Sequence, residues 1–139
     1  MMTNQPTEHA LLPLWYDRFE KVNLNPEDSY YEVFKILDGI YAIFEPYNVQ
    51  MVISYLIVGQ NRAMLFDTGM GVSPIDRVVR QLTDKPVFVV ISHSHFDHVG
   101  GAHLFDEVWG VDEPNARRNA AGAVNNYLLD YAPPDSYVD

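Results

Sequence analysis

The sequence contains no cysteine, few basic residues and no long hydrophobic run. Without cysteine the chain forms no disulfide, and a metal site would have to use histidine and carboxylate ligands. Nine basic residues stand against nineteen acidic ones, a formal net charge of −10, which argues against nucleic acid as a partner because binding a phosphate backbone needs clustered lysine and arginine. The segment ALLPLWY, residues 10–16, is interrupted by Pro13 and is too short for a signal peptide or a membrane span. We therefore expect a cytoplasmic protein without membrane association.

The remaining composition is that of a packed globular protein. Of the 139 residues, 47% are hydrophobic and 20% are charged, which separates the chain from disordered sequences. This length suits one domain with a sizeable core. The polar first segment predicts an N-terminal arm over residues 1–30, followed by one domain over residues 31–139.

Two β-hairpins are predicted in the first half of that domain. Residues 30–47, YYEVFKILDGIYAIFEPY, contain two β-rich runs around Asp38-Gly39, a strong hairpin-turn dipeptide. Residues 51–59 and 63–69, MVISYLIVG and AMLFDTG, form a second pair joined by a short polar link.

A helix and a buried strand should follow the hairpins. Residues 73–84, SPIDRVVRQLTD, carry apolar residues at helical spacing, with Ser73 as the predicted N-cap and Pro74 in the first turn. VFVVI, residues 87–91, is apolar at every position, which is typical of a strand buried on both faces. We expect a further helix over 97–105, a strand in 107–111, a helical or irregular segment over 113–131 and a turn-like end. This order predicts an α/β fold with a mixed sheet.

The segment HSHFDH, residues 93–98, directly follows the predicted buried strand. Four of its six residues have side chains that bind metals. His93 and His95 can point at one ion if the backbone is extended, and Asp97 and His98 can face a second ion from the turn that opens the next helix. Imidazole and carboxylate ligands suit Zn²⁺ and also Fe²⁺ or Mn²⁺. The spacing therefore predicts a metal site at the end of a rigid strand.

Two other features accompany this segment. Gly100 and Gly101 should permit close backbone approach and an unusual φ where the chain turns around the site. In LFDTGMG, residues 65–71, Asp67 ends an apolar strand. Asp67 either makes an ordinary strand-to-loop turn or orients a metal-binding imidazole with its carboxylate.

Taken together, HSHFDH and the upstream Asp-Thr-Gly of residues 67–69 resemble the metallo-β-lactamase superfamily. The resemblance implies the N-terminal half of an αββα sandwich, an α/β fold with a mixed sheet and helices on one face. It also implies that His93 and His95 ligate a first metal ion. Asp97 and His98 would ligate a second, with Asp97 also orienting a bridging water as the catalytic carboxylate. Asp67 would lie behind these ligands.

The resemblance further implies a metal-dependent hydrolase acting on a small-molecule substrate. The cofactor would be two zinc ions, with iron or manganese as alternatives, and an ester, thioester, lactone or lactam would be hydrolysed by metal-activated water. Nothing in the sequence selects among these substrates.

The family's remaining ligands come later in such chains: a third histidine, a bridging aspartate and a last histidine. Here only His103 follows His98, and we interpret it as a polar helix residue. The resemblance covers residues 32–139 as the first half of the domain, so we expect a truncated chain that is inactive alone. Two alternatives are a half-enzyme completed by self-association or by a separate C-terminal half, and a non-catalytic module that binds metal or a partner.

Overall fold

The computed structural model describes residues 18–123, which form a mixed seven-stranded sheet with helices beside it. The strands are β1 (Glu20–Val22), β2 (Glu32–Leu37), β3 (Ile40–Phe44), β4 (Ile53–Val58), β5 (Ala63–Phe66), β6 (Val87–Val90) and β7 (Val108–Trp109). The α-helices are α1 (Ile75–Leu82), α2 (Phe96–Val99) and α3 (Pro114–Arg118). The strands lie side by side in the sheet in chain order. Each pair from β1 to β5 is antiparallel, and the pairs β5–β6 and β6–β7 are parallel. This is the α/β mixed sheet that the sequence predicts.

Both predicted hairpins are confirmed. The first turns at Asp38-Gly39, where Gly39 has a φ of +72°, a conformation that glycine adopts without steric cost. The second joins β4 to β5, and the Gly59 N–H donates to the Arg62 carbonyl across its turn at 3.0 Å. Local turn chemistry is sufficient to define this part of the sheet.

Helix α1 crosses one face of the sheet between β5 and β6, which allows those two strands to run parallel. Its buried side chains, Ile75, Val78 and Val79, pack into the main core against Val33, Ile43, Leu56, Leu65 and Val89. The predicted Ser73 cap is wrong. Pro74 occupies the N-cap position in an extended conformation with no side-chain cap, so Ser73 lies one residue too early to cap the helix.

Strand β6 lies inside the sheet, but its predicted burial on both faces is only half correct. Val89 faces α1 and is fully buried, whereas Phe88 and Val90 on the opposite face stay partly exposed. Side chains alternate along a strand, and α1 covers only one of the two faces. The cross-strand register forms an apolar row on the other face, which we call the open-face row: Tyr55, Phe66, Val90 and Trp109.

The remaining segments differ in detail from the expectations. The helix predicted over 97–105 is divided into α2 and a 3₁₀ turn, Ala102–Leu104, on either side of two glycines. The strand in 107–111 is confirmed as β7. The segment after residue 113 begins with α3 and a π-helical turn, Asn119–Ala123.

The predicted N-terminal arm is only partly described. Of residues 1–30, those from 18 onward include strand β1, which pairs with β2 and was not expected. The rest of the arm, with His9, lies outside the described residues, as does the predicted turn-like end. Within residues 18–123, no helix combines the length and the apolar character needed to cross a bilayer.

Candidate metal centre

The segment HSHFDH lies at one edge of the sheet, beside the loop that follows β5. Strands β5 and β6 are parallel neighbours, with Phe66 paired to Val90, so their carboxyl ends meet at this edge. Asp67 directly follows β5, and its N–H donates to the Val90 carbonyl at 2.9 Å. In open α/β sheets this edge is where functional side chains gather. The fold thus brings together two motifs about 25 residues apart.

Three of the predicted ligands converge closely. His93, Asp97 and His98 each offer one ligand atom, and these atoms lie within 4.8 Å of one another. The Nε2 of His98 is 3.4 Å from the Asp97 Oδ2. His95 stands beside this group, with its ring centroid 4.7 Å from that of His93. Two imidazoles and a carboxylate at this spacing are a donor set that fits a divalent cation such as zinc.

The Asp67 carboxylate is held behind this cluster by three interactions. Oδ1 accepts the Ser92 N–H at 2.7 Å, and Oδ2 accepts the Ser92 hydroxyl at 2.7 Å. Oδ2 also lies 2.8 Å from the Nδ1 of His98. A carboxylate on one ring nitrogen fixes the ring and turns the other nitrogen toward a ligand position, here the Nε2 that faces Asp97. This is the contact that the orienting alternative for Asp67 requires, and the role itself stays a prediction.

The electrostatics of the cluster follow from these contacts. Burial alone would raise the pKa of Asp67, but hydrogen bonds from His98 and Ser92 outweigh it and hold the pKa below its usual value. In return the Asp67 hydrogen bond, together with Asp97, raises the pKa of His98 to about 9. Partial burial lowers the pKa of His93, and the neighbouring His98 and His95 lower it further. The surroundings therefore raise the pKa of His98 and lower the pKa of His93.

Backbone contacts connect the loop after β5 to helix α2. The Thr68 N–H donates to the His98 carbonyl at 2.9 Å, and the Gly100 N–H donates to the Gly69 carbonyl at 2.8 Å. A Cβ at Gly100 would lie 2.2 Å from the Met70 carbonyl carbon, so the predicted close approach is confirmed. The predicted unusual φ is wrong for Gly100 and Gly101, whose φ values are −56° and −102°. Left-handed backbone occurs instead across the loop at Asp67, Gly69 and Gly71.

Sequence reasoning missed a buried carboxyl beside this loop. Glu45, at the end of β3, is 1% exposed and accepts the Met70 N–H through Oε2 at 3.1 Å. A Cβ at Gly69 would lie 1.8 Å from the same oxygen, so any other residue there would displace the Glu45 carboxylate. Burial raises the pKa of Glu45 to about 7 even though the Met70 N–H and the Tyr30 hydroxyl stabilise its charged form. An acidic residue ending a strand that is otherwise apolar was the available signal.

Two further residues complete the local picture. Ser92, not considered from sequence, donates to Asp67 and places its hydroxyl 2.9 Å from the Nδ1 of His93. Its position just before the first histidine was the only sequence signal. His103 lies exposed on the 3₁₀ turn and outside the convergent group of three. That agrees with its interpretation as a polar helix residue.

Comparisons with known proteins point to one family. The family model described as the metallo-beta-lactamase superfamily matches residues 47–137. A curated relative, the probable metallo-hydrolase YqgX of Bacillus subtilis (strain 168), is 22% identical over 96 residues, which is 62% of this chain and 46% of that protein.

A similar solved structure is a metallo beta lactamase from Erythrobacter litoralis with beta mercaptoethanol in the active site. It superposes with a TM-score of 0.52 at 19% identity over 73% of this chain and 48% of that one, so the likeness concerns the fold. The chain spans about half the length of these two proteins. The family model matches more than half of the residues of this chain, and the chain therefore belongs to the metallo-beta-lactamase superfamily.

Proposed function

We propose that this chain carries the first metal-binding half of a hydrolase that cleaves an ester, thioester, lactone or lactam of small size. The observation that carries the proposal is the convergence of His93, Asp97 and His98, with Asp67 fixing the His98 ring from behind. Surface histidines without a role have no need of a buried carboxylate that sets their orientation. The superfamily supports a metallo-hydrolase, and the reaction is our inference.

In this proposal the ligands are divided between two neighbouring ions. His93 and His95 hold the first, and Asp97 and His98 hold the second, with zinc preferred and iron or manganese as alternatives. The convergent group thus contains one ligand of the first pair and both ligands of the second. When bound, such a metal would lower the pKa of its water to about 7 and so supply hydroxide at neutral pH. Of the chain's own residues, Asp97 would orient the attacking water and accept its proton, and Asp67 would keep the Nε2 of His98 available. We propose a cytoplasmic setting for this activity.

The proposal separates metal binding from turnover. Because the chain spans about half the length of its relatives, the four ligands are part of a set, and we propose that the 139 residues bind metal but do not turn over alone. Metal uptake is therefore the property that tests the site directly.

The test is zinc retention by the purified chain, measured by elemental analysis after equilibrium dialysis against a fixed zinc concentration. The double variant His93→Ala, His95→Ala should lose metal, and Asp67→Asn should retain less than the wild type but more than the double variant, because Asp67 acts through His98. Replacing a side chain that hydrogen-bonds to a metal ligand typically weakens metal affinity by about 10–100-fold. His103→Ala is the matched control and should bind as the wild type does.

Unchanged metal content in the double variant would show that the cluster is not the site. Loss of metal in the His103→Ala variant as well would point to general unfolding, which circular dichroism of the three variants distinguishes.

The open-face row supports a different candidate. Trp109 is 61% exposed and Tyr55 is 37% exposed, and together with Phe66 and Val90 they form a contiguous apolar strip on a sheet face. Exposed strips of this kind mark association surfaces. We propose as the alternative that the site is completed by association, with a second copy or a C-terminal half, or that the chain is a non-catalytic binding module. Self-association is measurable by sedimentation velocity.

A further inference from the structure

A cavity of about 710 Å³ lies beside the metal cluster. Of the four predicted ligands, His93 is the one that contributes to its wall, so the cavity borders the cluster at that residue. Strand β7 and the residues after it contribute to the lining, and so do α3 and the π-helical turn. This volume is within the range of small-molecule sites, which is about 300–1,000 Å³.

The lining of this cavity is predominantly apolar. Ile91 and Val99 contribute from the ends of β6 and α2, and Ala116 and Ala120 contribute small side chains from α3 and the π-helical turn. At the mouth stand exposed apolar residues: Val108 at 38%, Trp109 at 61% and Val111 at 62% exposure. Exposed apolar side chains gathered around a concave apolar surface indicate a binding site rather than chance surface composition.

The charged groups at the mouth disfavour an anion. Arg117 is paired with Asp112, with the guanidinium Nε 2.5 Å from the Asp112 Oδ1. Glu113 adds another carboxylate to the same lining. Besides the imidazoles of His93 and His103, the described lining therefore offers one paired cation and two carboxylates, on a chain whose net charge is −10. In the metal-free chain a phosphodiester would meet repulsion from Glu113, whereas a neutral carbonyl compound would not.

We infer that this cavity takes the apolar acyl chain of a neutral ester, thioester or lactone whose carbonyl lies at His93. The inference rests on the proposed function, since it assigns the substrate class of the same site. His93, in the cavity wall, would place the reacting carbonyl beside the cluster, and the small side chains of Ala116 and Ala120 leave space in the cavity for an alkyl chain. Among the proposed substrates, this selects those with an extended aliphatic acyl group.

The test uses neutral amides that cannot turn over readily, so that it requires no metal. N-methylalkanamides from acetamide to octanamide are titrated into the metal-free chain, and binding is followed by the emission of Trp109 in a Trp15→Phe background. Each added methylene that enters the cavity should tighten binding by about fourfold. The Trp109 emission should shift to shorter wavelength as its surroundings lose water. Methyl octyl phosphate should bind more weakly than N-methyloctanamide.

Two substitutions on helix α3 give a matched pair. Ala116→Phe fills the cavity and should abolish the dependence on chain length, whereas Arg118→Phe, which introduces the same side chain outside the lining, should preserve it. Val111→Asp, at an exposed position, should weaken octanamide binding and provides a variant that does not disturb the core.

Affinity that does not change with chain length, equal binding in Ala116→Phe and wild type, or tighter binding of the phosphate would each overturn the inference. Loss of metal uptake with intact chain-length dependence would refute the proposed function and leave the cavity as an apolar binding site. The two failures are therefore distinguishable.

Discussion

Replacing the buried carboxyl of Glu45 with an amide should change how stability depends on pH. Glu45→Gln keeps the shape of the side chain and an oxygen that can accept the Met70 N–H, so it removes the ionisation and little else. The pKa of Glu45 is raised from 4.5 to about 7, chiefly by burial, and the nearby Asp97 adds to the increase. A carboxyl of this kind favours folding when it is neutral and opposes folding when it is charged.

The magnitude follows from linkage. A carboxyl whose folded pKa is raised contributes stability that is complete below the unfolded pKa of 4.5 and is lost as pH rises through about 7. With 1.36 kcal/mol for each tenfold change in proton affinity, the wild type should lose about 3 kcal/mol relative to Glu45→Gln over this window. The pKa of His98 is about 9, so its imidazole stays protonated in the folded state across this window and contributes little to the difference.

The assay is urea unfolding of both proteins between pH 4.5 and 8, with the free energy of unfolding taken from the transition midpoint and slope. Glu107→Gln is the control, because Glu107 is an exposed carboxylate paired with Arg62 at 2.7 Å and has a lowered pKa. Parallel curves for the wild type and Glu45→Gln across this window would refute the argument that this carboxyl is buried and resists ionisation. A divergence that Glu107→Gln also produced would attribute the effect to net charge.

Two further outcomes are expected. Gly69→Ala should destabilise the chain by about 1–3 kcal/mol, because φ is +67° and the new Cβ would collide with the Glu45 carboxylate. The control Gly110→Ala should be close to neutral, because its Cβ would meet only Ile91, at 3.6 Å. Equal unfolding midpoints for the two variants would contradict this prediction. If the open-face row mediates association, the wild type should sediment faster as concentration rises and Tyr55→Lys should reduce that dependence, while a concentration-independent monomer would exclude self-association.

The parts of the fold that were predictable depend on short-range signals. The Asp38-Gly39 turn defines its hairpin within a few residues, and the apolar stripe of α1 is visible within the eight residues of that helix. Strand β1 was not predictable, because its three residues Glu-Lys-Val have no apolar alternation and are ordered only by pairing with β2. The Ser73 cap failed for a local reason, since the N-cap position went to Pro74.

The candidate site shows the same division. The residue types and spacing of HSHFDH indicated metal chemistry without any knowledge of the fold, and the ligand roles stay predictions. The grouping of His93 with Asp97 and His98 depends on how helix α2 turns, which spacing alone does not define. Glu45 was invisible for a different reason: its partner Met70 is 25 residues away, so its burial exists only once β3 and the loop after β5 are assembled.

The hydrogen bonds from Thr68 to His98 and from Gly100 to Gly69 have a consequence for motion. Each side of the site uses the other side's backbone as its hydrogen-bond partner, and Asp67 adds a side-chain connection at the same place. Neither the loop nor helix α2 can move away without leaving buried polar groups of the other unpaired. We therefore expect the two segments to open together, and such an opening would remove Asp97 and His98 from the cluster at the same time as it breaks the Asp67 contact.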